Sequence, residues 1–546
     1  MIGEEPLMND KKIAVIAQCE ANGVSAIRQY LDAIDVPQGY AVELIEVPFG
    51  GNVADTYQRA MEQSDAKYKV YLSPGSILLR LNFFEEMLRI FTQDPAIGVM
   101  GLVGTKQLST TGLIANSAVI HGRMLYTDDS AFRGENIEGD MEEVVVVSGD
   151  LIATQYDLPW RRDLFQSNAF VAEAQCIEFW RAGYRTVVPH QDEAWLLTDA
   201  QGRPCDEVSR ESFLDTYSAD IYPLVSIIIP TFERPHYFRL ALESVLAQTY
   251  RNLDIFITDN SHNTETAEMM HRDFSDDPRI HYEHHPSYGA AENWTRALSY
   301  NNPNATYVNW LMDDDLFMPD KIALMMDAFF AHPDLSIVTS YRECIDANGN
   351  KLPDISSTKP IAQEATKFNG EEIGTAILTH MTNFIGEPTT ALLRKEFLLD
   401  GHDLGFSGKE GKYHISDFPT WLRLLGQGNM MYFPTPLSKF RMHKGNDQLR
   451  YKTQIYGFIC WALTIREVIE RNEYLHDLNT RRKTIAQWLC TAGHIFRIAT
   501  MIPEVWEETE FHDFLCVFAG MSEALQNDCR IDFAIDTSLV LQMDEG

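Results

Sequence analysis

The hydrophobic pattern of this chain comes in two similar successions of short apolar runs and amphipathic stretches. KKIAVIAQ is a continuous apolar run of strand length, AVELIEVPF and YKVYLSPGS read as further strands, and IGVMGLVG as another. Between them, Ser25 to Ile34, Ala54 to Ser64 and NFFEEMLRIF carry helical spacing. Uninterrupted apolar runs belong to strands buried on both faces, and their alternation with helices predicts a doubly wound α/β sheet. After the polar, linker-like DAQGRPCDEVSRESF the succession restarts. PLVSIIIP, LDIFITDNS and YVNWLMDDDLFMP read as strands, the last running into an acidic turn, while PHYFRLALESVLAQ, AAENWTRALSY and DKIALMMDAFF read as helices. Beyond about residue 450 strand signals become few, and stretches such as TIREVIERNEYL and RKTIAQWLCTAGHIF are helical. Trp461, Ile465, Val468 and Ile469 form a stripe there, expected to pack against a neighbour. The pattern predicts two tandem Rossmann-like domains, 1–215 and 216–450, followed by a helical domain, 451–546.

The two α/β parts align as copies of one plan. Sliding YKVYLSPGSILLRLNFFEEMLRIF over YVNWLMDDDLFMPDKIALMMDAFF places Leu72 on Leu311 and Ser73-Pro74-Gly75-Ser76 on Met312-Asp313-Asp314-Asp315. EFWRAGYRTVVP over RLLGQGNMMYFP aligns Pro189 with Pro434 and, upstream, Ala172 with Asp417.

Length and charge narrow the functional classes. At ~150 residues per domain, 546 residues fit three or four domains, and 45% apolar against 23% charged residues excludes wholesale disorder. Acidic side chains outnumber basic ones by 79 − 45 = 34, a surface that repels polyanions, so general nucleic-acid binding and broad attachment to anionic lipid are excluded. The eight cysteines form no CxxC pair and read as reduced thiols. MIGEEPLMNDKK lacks an apolar signal core, and the longest tempting apolar stretch, Thr453 to Ile465, is 13 residues, too short to span a bilayer. A cytoplasmic protein without a transmembrane segment is expected, with peripheral attachment to a membrane left open.

The strongest chemical signal is Asp313-Asp314-Asp315. Three adjacent carboxylates at a strand end repel one another unless solvated or neutralised by a cation. Mg²⁺ and Mn²⁺ prefer such oxygens and keep positions open for diphosphate, and ligands of open α/β sheets bind beyond the strands' carboxyl ends. In isolation, an acidic turn capping the helix near Pro319 explains the triplet equally well.

The surroundings resemble glycosyltransferase family 2, inverting nucleotide-sugar enzymes of the GT-A fold. The resemblance spans about Pro223 to Gln448 and rests on ordered blocks: SIIIPTFERP, ITDNSHNTET, YGAAENWTRAL, WLMDDDLFMPDKI, NFIGEPTTALLRKE, SDFPTWLRLLGQG and PLSKFRMHKGN. It implies that Pro230, Thr231 and Glu233 line the nucleotide pocket, although many relatives carry Asn at the place of Glu233. It implies that Asp259 reads the nucleobase and that Asn293, near Gly289, belongs to the donor site. Asp314 is then the direct ligand of Mn²⁺ or Mg²⁺, Asp313 lies nearer the ribose, and Asp315 belongs to the metal site as a supporting group. Arg441, His443 and Lys444 form a basic loop over the diphosphate, with His443 a further metal ligand. Asp417 is the implied catalytic base, preceded by Ser416 where relatives carry an acidic pair, and Glu387 lines the sugar or acceptor side. Taken singly, Asp259 reads equally as a turn former, Asp417 as a helix cap, Glu387 as a buried turn carboxylate and the basic cluster as a surface loop.

The resemblance implies a metal-dependent inverting transferase moving one sugar from a UDP-sugar to a hydroxyl of a glycan, lipid-linked glycan or protein. No QxxRW motif occurs, so a non-processive enzyme is expected. The first domain also resembles the GT-A type, but Ser73-Pro74-Gly75-Ser76 and Ala172 stand where carboxylates are needed, so it is expected to be catalytically dead. Two other classes stay open: a non-catalytic glycan- or nucleotide-binding protein, and a nucleotidyltransferase. Oligomerisation is also left open.

Overall fold

The computed structural model describes residues 8–19, 25–128, 130–165, 167–199, 206–400, 403–404, 417–443 and 451–535. Ser416, Lys444, Gln448, Cys205 and residues 200–205 of the linker-like stretch, all singled out in the sequence, lie outside the described residues, and the rest of that stretch is not a linker but opens the helix Glu207–Ile221, capped by Asp206. Where the pattern predicts three domains, the chain divides into two compact units, Met1–Tyr222 and Pro223–Gly546.

In the first unit a seven-stranded sheet runs in the order Ala41–Pro48, Asn9–Cys19, Ala66–Leu72, Leu151–Thr154, Ile97–Gly101, Arg185–Pro189, Met141–Val144. The first three strands are parallel, and Leu151–Thr154 is antiparallel to both of its neighbours. The sheet is thus mixed rather than wholly parallel. Ile13 to Ile16 are fully buried, as the apolar run requires, and Val53–Gln63 and Phe83–Gln93 form the covering helices. The stretch from Ser25 to Ile34 departs from its predicted helix and makes two 3₁₀ turns, Ala26–Gln29 and Leu31–Ala33. No side chain caps either turn, and a ten-residue segment has too few hydrogen bonds to repay helix nucleation by itself.

The second unit repeats this topology. Its sheet runs Ile280–His284, Leu253–Asp259, Leu224–Thr231, Ala305–Trp310, Leu392–Arg394, Leu335–Ile345, Asn429–Arg441, Leu316–Phe317, with Thr366–Phe368 also paired to Asn429–Arg441. The central order matches that of the first unit, three parallel strands with the first in the middle, an antiparallel insertion, then two mutually parallel strands, with Ile280–His284 added at the edge as a further parallel strand. Shared strand order is independent of the sequence alignment and supports duplication.

Three further helices, Tyr451–Arg471, Leu478–Met501 and Thr509–Ala524, join the second unit's core. Ile465 and Val468 are buried, and Trp461 stacks on Phe418 with ring centroids 4.0 Å apart. Phe418 lies in the helix Asp417–Leu425, so the predicted stripe packs against the element that carries Asp417. Tyr474 fits over Gly374, where an added Cβ would lie 2.3 Å from the ring, and its hydroxyl donates to the Leu422 carbonyl. Among the described residues the seven cysteines are all free, and no helix is long and apolar enough to cross a membrane.

Candidate active site

The carboxyl ends of Leu224–Thr231 and Ala305–Trp310 deliver the loop Phe232-Glu233-Arg234 and the triplet Asp313-Asp314-Asp315 to one edge of the second sheet. Asp313 is buried: its Oδ2 accepts from Thr231 Oγ1 at 2.9 Å and from the Phe232 N–H at 3.4 Å. Burial pushes its carboxyl up to about 6, opposed by the Arg234 guanidinium and reinforced by Asp314. Arg234 Nη1 lies 3.3 Å from Asp313 Oδ1 and 3.4 Å from Asp314 Oδ2. Asp314 Oδ2 also meets His443 Nε2 at 2.9 Å, and the His443 ring stacks on Tyr237 with centroids 5.4 Å apart. One carboxylate and one imidazole therefore converge in a partly open position.

Asp315 differs from its neighbours. Its Oδ1 accepts from the Arg441 N–H at 2.9 Å and its Oδ2 from Thr389 Oγ1 at 2.7 Å. It is 1% exposed, and its carboxyl is raised well above the usual range, by burial first and by the Asp314 charge second. Both oxygens face protein donors, so Asp315 holds the turn in place rather than presenting itself to an ion.

Arg441 departs from the expected diphosphate contact. It is buried, Nε donates to the Asp314 carbonyl at 2.7 Å, and Nη1 donates to the Asp346 carbonyl at 3.0 Å. Its guanidinium lies 4.8 Å from the Tyr237 ring centroid. A guanidinium spent on backbone carbonyls braces the acidic loop and has little left for a ligand. Among the described residues a guanidinium that does reach the carboxylates is that of Arg234, which neither the motifs nor the resemblance singles out. Its signal was there in PTFERP, one turn of loop beyond a strand that ends beside the triplet.

Asp259 and Asn293 also point inward. Asp259 is fully buried, accepting from the Ser261 N–H at 2.8 Å and from the Tyr282 hydroxyl at 2.6 Å. Asn293 accepts from Thr258 Oγ1 at 2.6 Å and donates to the Thr231 and Thr258 carbonyls, clamping two adjacent strand ends. Pro230 lies in the same strand end, half-buried, and the exposed aromatic at this edge is Phe232, 40% accessible.

Glu233, exposed, has φ 48°, in the left-handed region where Asn is far less strained than Glu. Its N–H donates to Ser261 Oγ at 2.8 Å and its carboxylate meets His262 at 3.2 Å. Glu233→Asn should therefore raise stability by about 0.5–1 kcal/mol. Denaturant unfolding checks this as a higher midpoint at unchanged slope; a lower midpoint would mean that the His262 contact outweighs the strain.

Asp417 opens its helix, half-buried, with Oδ2 accepting from Asn383 Nδ2 at 3.1 Å and Oδ1 from the Phe418 N–H at 2.7 Å. Burial pushes the carboxyl up to about 6, the Phe418 N–H opposing and the Glu387 charge adding to the rise. Glu387 is paired with Arg342, Nε to Oε2 at 2.6 Å. The turn between them needs a glycine: Gly386 has φ 99°, a Cβ there would lie 2.8 Å from the Arg342 guanidinium, and its carbonyl accepts from Trp421 Nε1 at 3.0 Å. Trp421 thereby ties the Asp417 helix to the Glu387 turn.

Among the described residues no group of three or more His, Cys, Asp or Glu side chains is placed to hold a metal ion. Asp314 and His443 nevertheless suit one. Mg²⁺ is commonly bound through one or two protein groups, with substrate phosphates and waters completing its shell, and Mn²⁺ accepts carboxylate and imidazole alike. In the first unit the equivalent loop presents hydroxyls: Ser73 Oγ and Ser76 Oγ lie 2.7 Å apart, and Ser76 Oγ is 3.4 Å from Thr198 Oγ1.

Two α/β units of one topology, one of them with an acidic triplet beyond its central strand, define a tandem glycosyltransferase-like protein. Residues 14–217 match the family described as "Glycosyltransferase like family" and residues 226–400 the family described as "Glycosyl transferase family 2", so each unit carries a match to a glycosyltransferase family. The second match includes the acidic triplet and Glu387 and ends before Asp417 and His443. An uncharacterized glycosyltransferase of Rickettsia conorii is 27% identical over 257 residues, covering 46% of this chain and 39% of that protein. The chain thus spans about two fifths of that relative's length. Protein CgeD of Bacillus subtilis is 30% identical over 134 residues, 23% of this chain and 30% of its own. Among solved structures, S. aureus TarS aligns over 56% of this chain and 50% of its own, with a TM-score of 0.39 and 12% identity.

Proposed function

We propose that the second unit is a metal-dependent, inverting glycosyltransferase that moves one sugar from a nucleotide-diphosphate sugar, a UDP-sugar, to a hydroxyl of a glycan or protein acceptor. The observation that carries this reading is the division of carboxylates between two environments. Asp314 stands with His443 and Arg234 at the strand ends, while Asp417 stands on a separate helix with its carboxyl pushed up to about 6. One set suits a departing diphosphate and the other suits a proton.

Asp314 and His443 would hold the divalent cation, Mn²⁺ or Mg²⁺, whose chemistry when bound is to neutralise the diphosphate as a Lewis acid. Asp417 takes the proton of the acceptor hydroxyl as its oxygen attacks the anomeric carbon. The bond from that carbon to the diphosphate oxygen breaks on the opposite face, and its electron pair leaves with the nucleoside diphosphate. Arg234 offers a guanidinium to the charge that develops there. Asp313, Asp315 and Arg441 fix the loop, and Glu387, held by Arg342, bounds the side nearest Asp417. The first unit, with hydroxyls in place of the acidic triplet, is not catalytic in this reading.

The product distinguishes this account from its main rival. Incubation with a panel of nucleotide sugars should release a nucleoside diphosphate and no pyrophosphate; pyrophosphate as the product would replace the transferase reading with a nucleotidyltransferase.

A further inference from the structure

The first unit retains a cleft where the second unit has its acidic site. It lies at the carboxyl ends of the parallel strands and is lined by Gln18, Tyr57, Tyr71, Pro74, Trp160 and Ala172 among others. Pro74 aligns with Asp313 and Ala172 with Asp417, and Gln18 is the penultimate residue of Asn9–Cys19 as Pro230 is of Leu224–Thr231. The position of the active site is kept while its carboxylates are gone.

Neutral and aromatic groups replace them. No residue lining the cleft is charged. Tyr57, Tyr71 and Trp160 pack ring against ring, with centroids 4.8 to 5.0 Å apart. Gln18 is 5% exposed, and its Nε2 donates to the Tyr57 hydroxyl at 2.6 Å while its Oε1 has no partner. Turning the amide over exchanges which polar atom bonds Tyr57 and leaves the other without a partner. Trp160 Nε1 has no acceptor in hydrogen-bonding geometry, although it lies beside the Tyr71 hydroxyl. The cleft is narrow, with about 20 Å³ inside it, room for roughly one water-sized group, and Phe49, 56% exposed, also lines it.

We propose that this cleft binds an uncharged pyranose ring of the acceptor glycan, one hydroxyl entering the narrow part against Gln18 and the ring's C–H face lying on the exposed ring of Phe49, since Tyr57, Tyr71 and Trp160 are buried against one another. Each alternative class lacks something. A divalent cation lacks carboxylates, a phosphate lacks a cation, and a purely apolar ligand leaves the buried Gln18 amide unpaired. A sugar hydroxyl, both donor and acceptor, satisfies the amide in either orientation. The assignment of the sugar to the acceptor rests on the transferase reading; the binding chemistry stands apart from it.

Saturation-transfer NMR on the full chain tests the site, with the methyl glycosides of glucose, galactose, mannose and N-acetylglucosamine as probes. At least one probe should bind. Gln18→Leu should weaken it by about tenfold, the cost of one hydrogen bond to a buried group. Phe49→Ala, at an exposed position that leaves folding intact, should weaken it severalfold. Nucleotide-dependent stabilisation should match the parent chain in both variants, so failure of the donor site is read separately. Absence of binding by every probe, or binding unchanged in folded Gln18→Leu or in Phe49→Ala, would overturn the proposal.

Discussion

Asp417→Asn should lower turnover by about 10²–10⁴-fold, the usual contribution of a positioned general base, with little change in donor affinity. The substitution keeps the shape of the side chain and removes its ability to accept a proton, together with one of the two hydrogen bonds its oxygens accept from Asn383 and the Phe418 N–H. The fold should tolerate it well. A carboxyl whose pKa is raised by burial costs the native state stability as pH rises from the ordinary carboxylate value of 3.8 to about 6, and the full loss persists above that, so a neutral amide relieves the cost at neutral pH. The parent enzyme's kcat/KM should accordingly fall with decreasing pH through about 6, because the base must be ionised to act. Steady-state kinetics across pH 5 to 8 check both parts. A variant as active as the parent, or a profile flat through about pH 6, would remove Asp417 from the chemistry.

Asp314→Asn should abolish metal-dependent turnover in a folded protein. Asp314 Oδ2 lies 2.9 Å from His443 Nε2, and the other two carboxylates of the triplet are committed to Thr231, Thr389 and the Arg441 N–H. Neither of these two carboxylates is therefore placed to replace it as a ligand. The loss in Mn²⁺ affinity should exceed the ~10–100-fold that removal of a mere supporting partner costs. Titration of activity against Mn²⁺ reads this directly; an unchanged titration would move the metal elsewhere.

The sequence made the apolar strands, their alternation with helices and the acidic triplet readable, because each is encoded within a dozen consecutive residues. The antiparallel insertions Leu151–Thr154 and Leu392–Arg394 were not readable. A short buried strand looks the same whichever way it runs, and its direction is set by partners far along the chain. Motifs likewise place a residue at a strand end without saying which way it turns. Asp259 and Asn293 stand where the resemblance puts them, yet both are consumed by neighbouring hydroxyls and carbonyls. Arg441 and Arg234 show the same limit from the other side. Both are cations near carboxylates, but only the fold reveals that Arg441 is threaded under the loop among backbone carbonyls while Arg234 meets the carboxylates from the partly open side. The helical stripe was legible as a packing face, and its partner, the helix of Asp417, was not.

The central claim is that the second unit binds a nucleoside diphosphate through a cation held at Asp314. Thermal unfolding of the full chain with UDP, GDP, dTDP and CDP, each with and without Mn²⁺, tests it most directly. The account predicts stabilisation by UDP that requires Mn²⁺, reaching about 2.7 kcal/mol at 100 times the dissociation constant, and disappears in Asp314→Asn. No stabilisation by any nucleotide in the folded protein, or stabilisation that survives in Asp314→Asn, would contradict it.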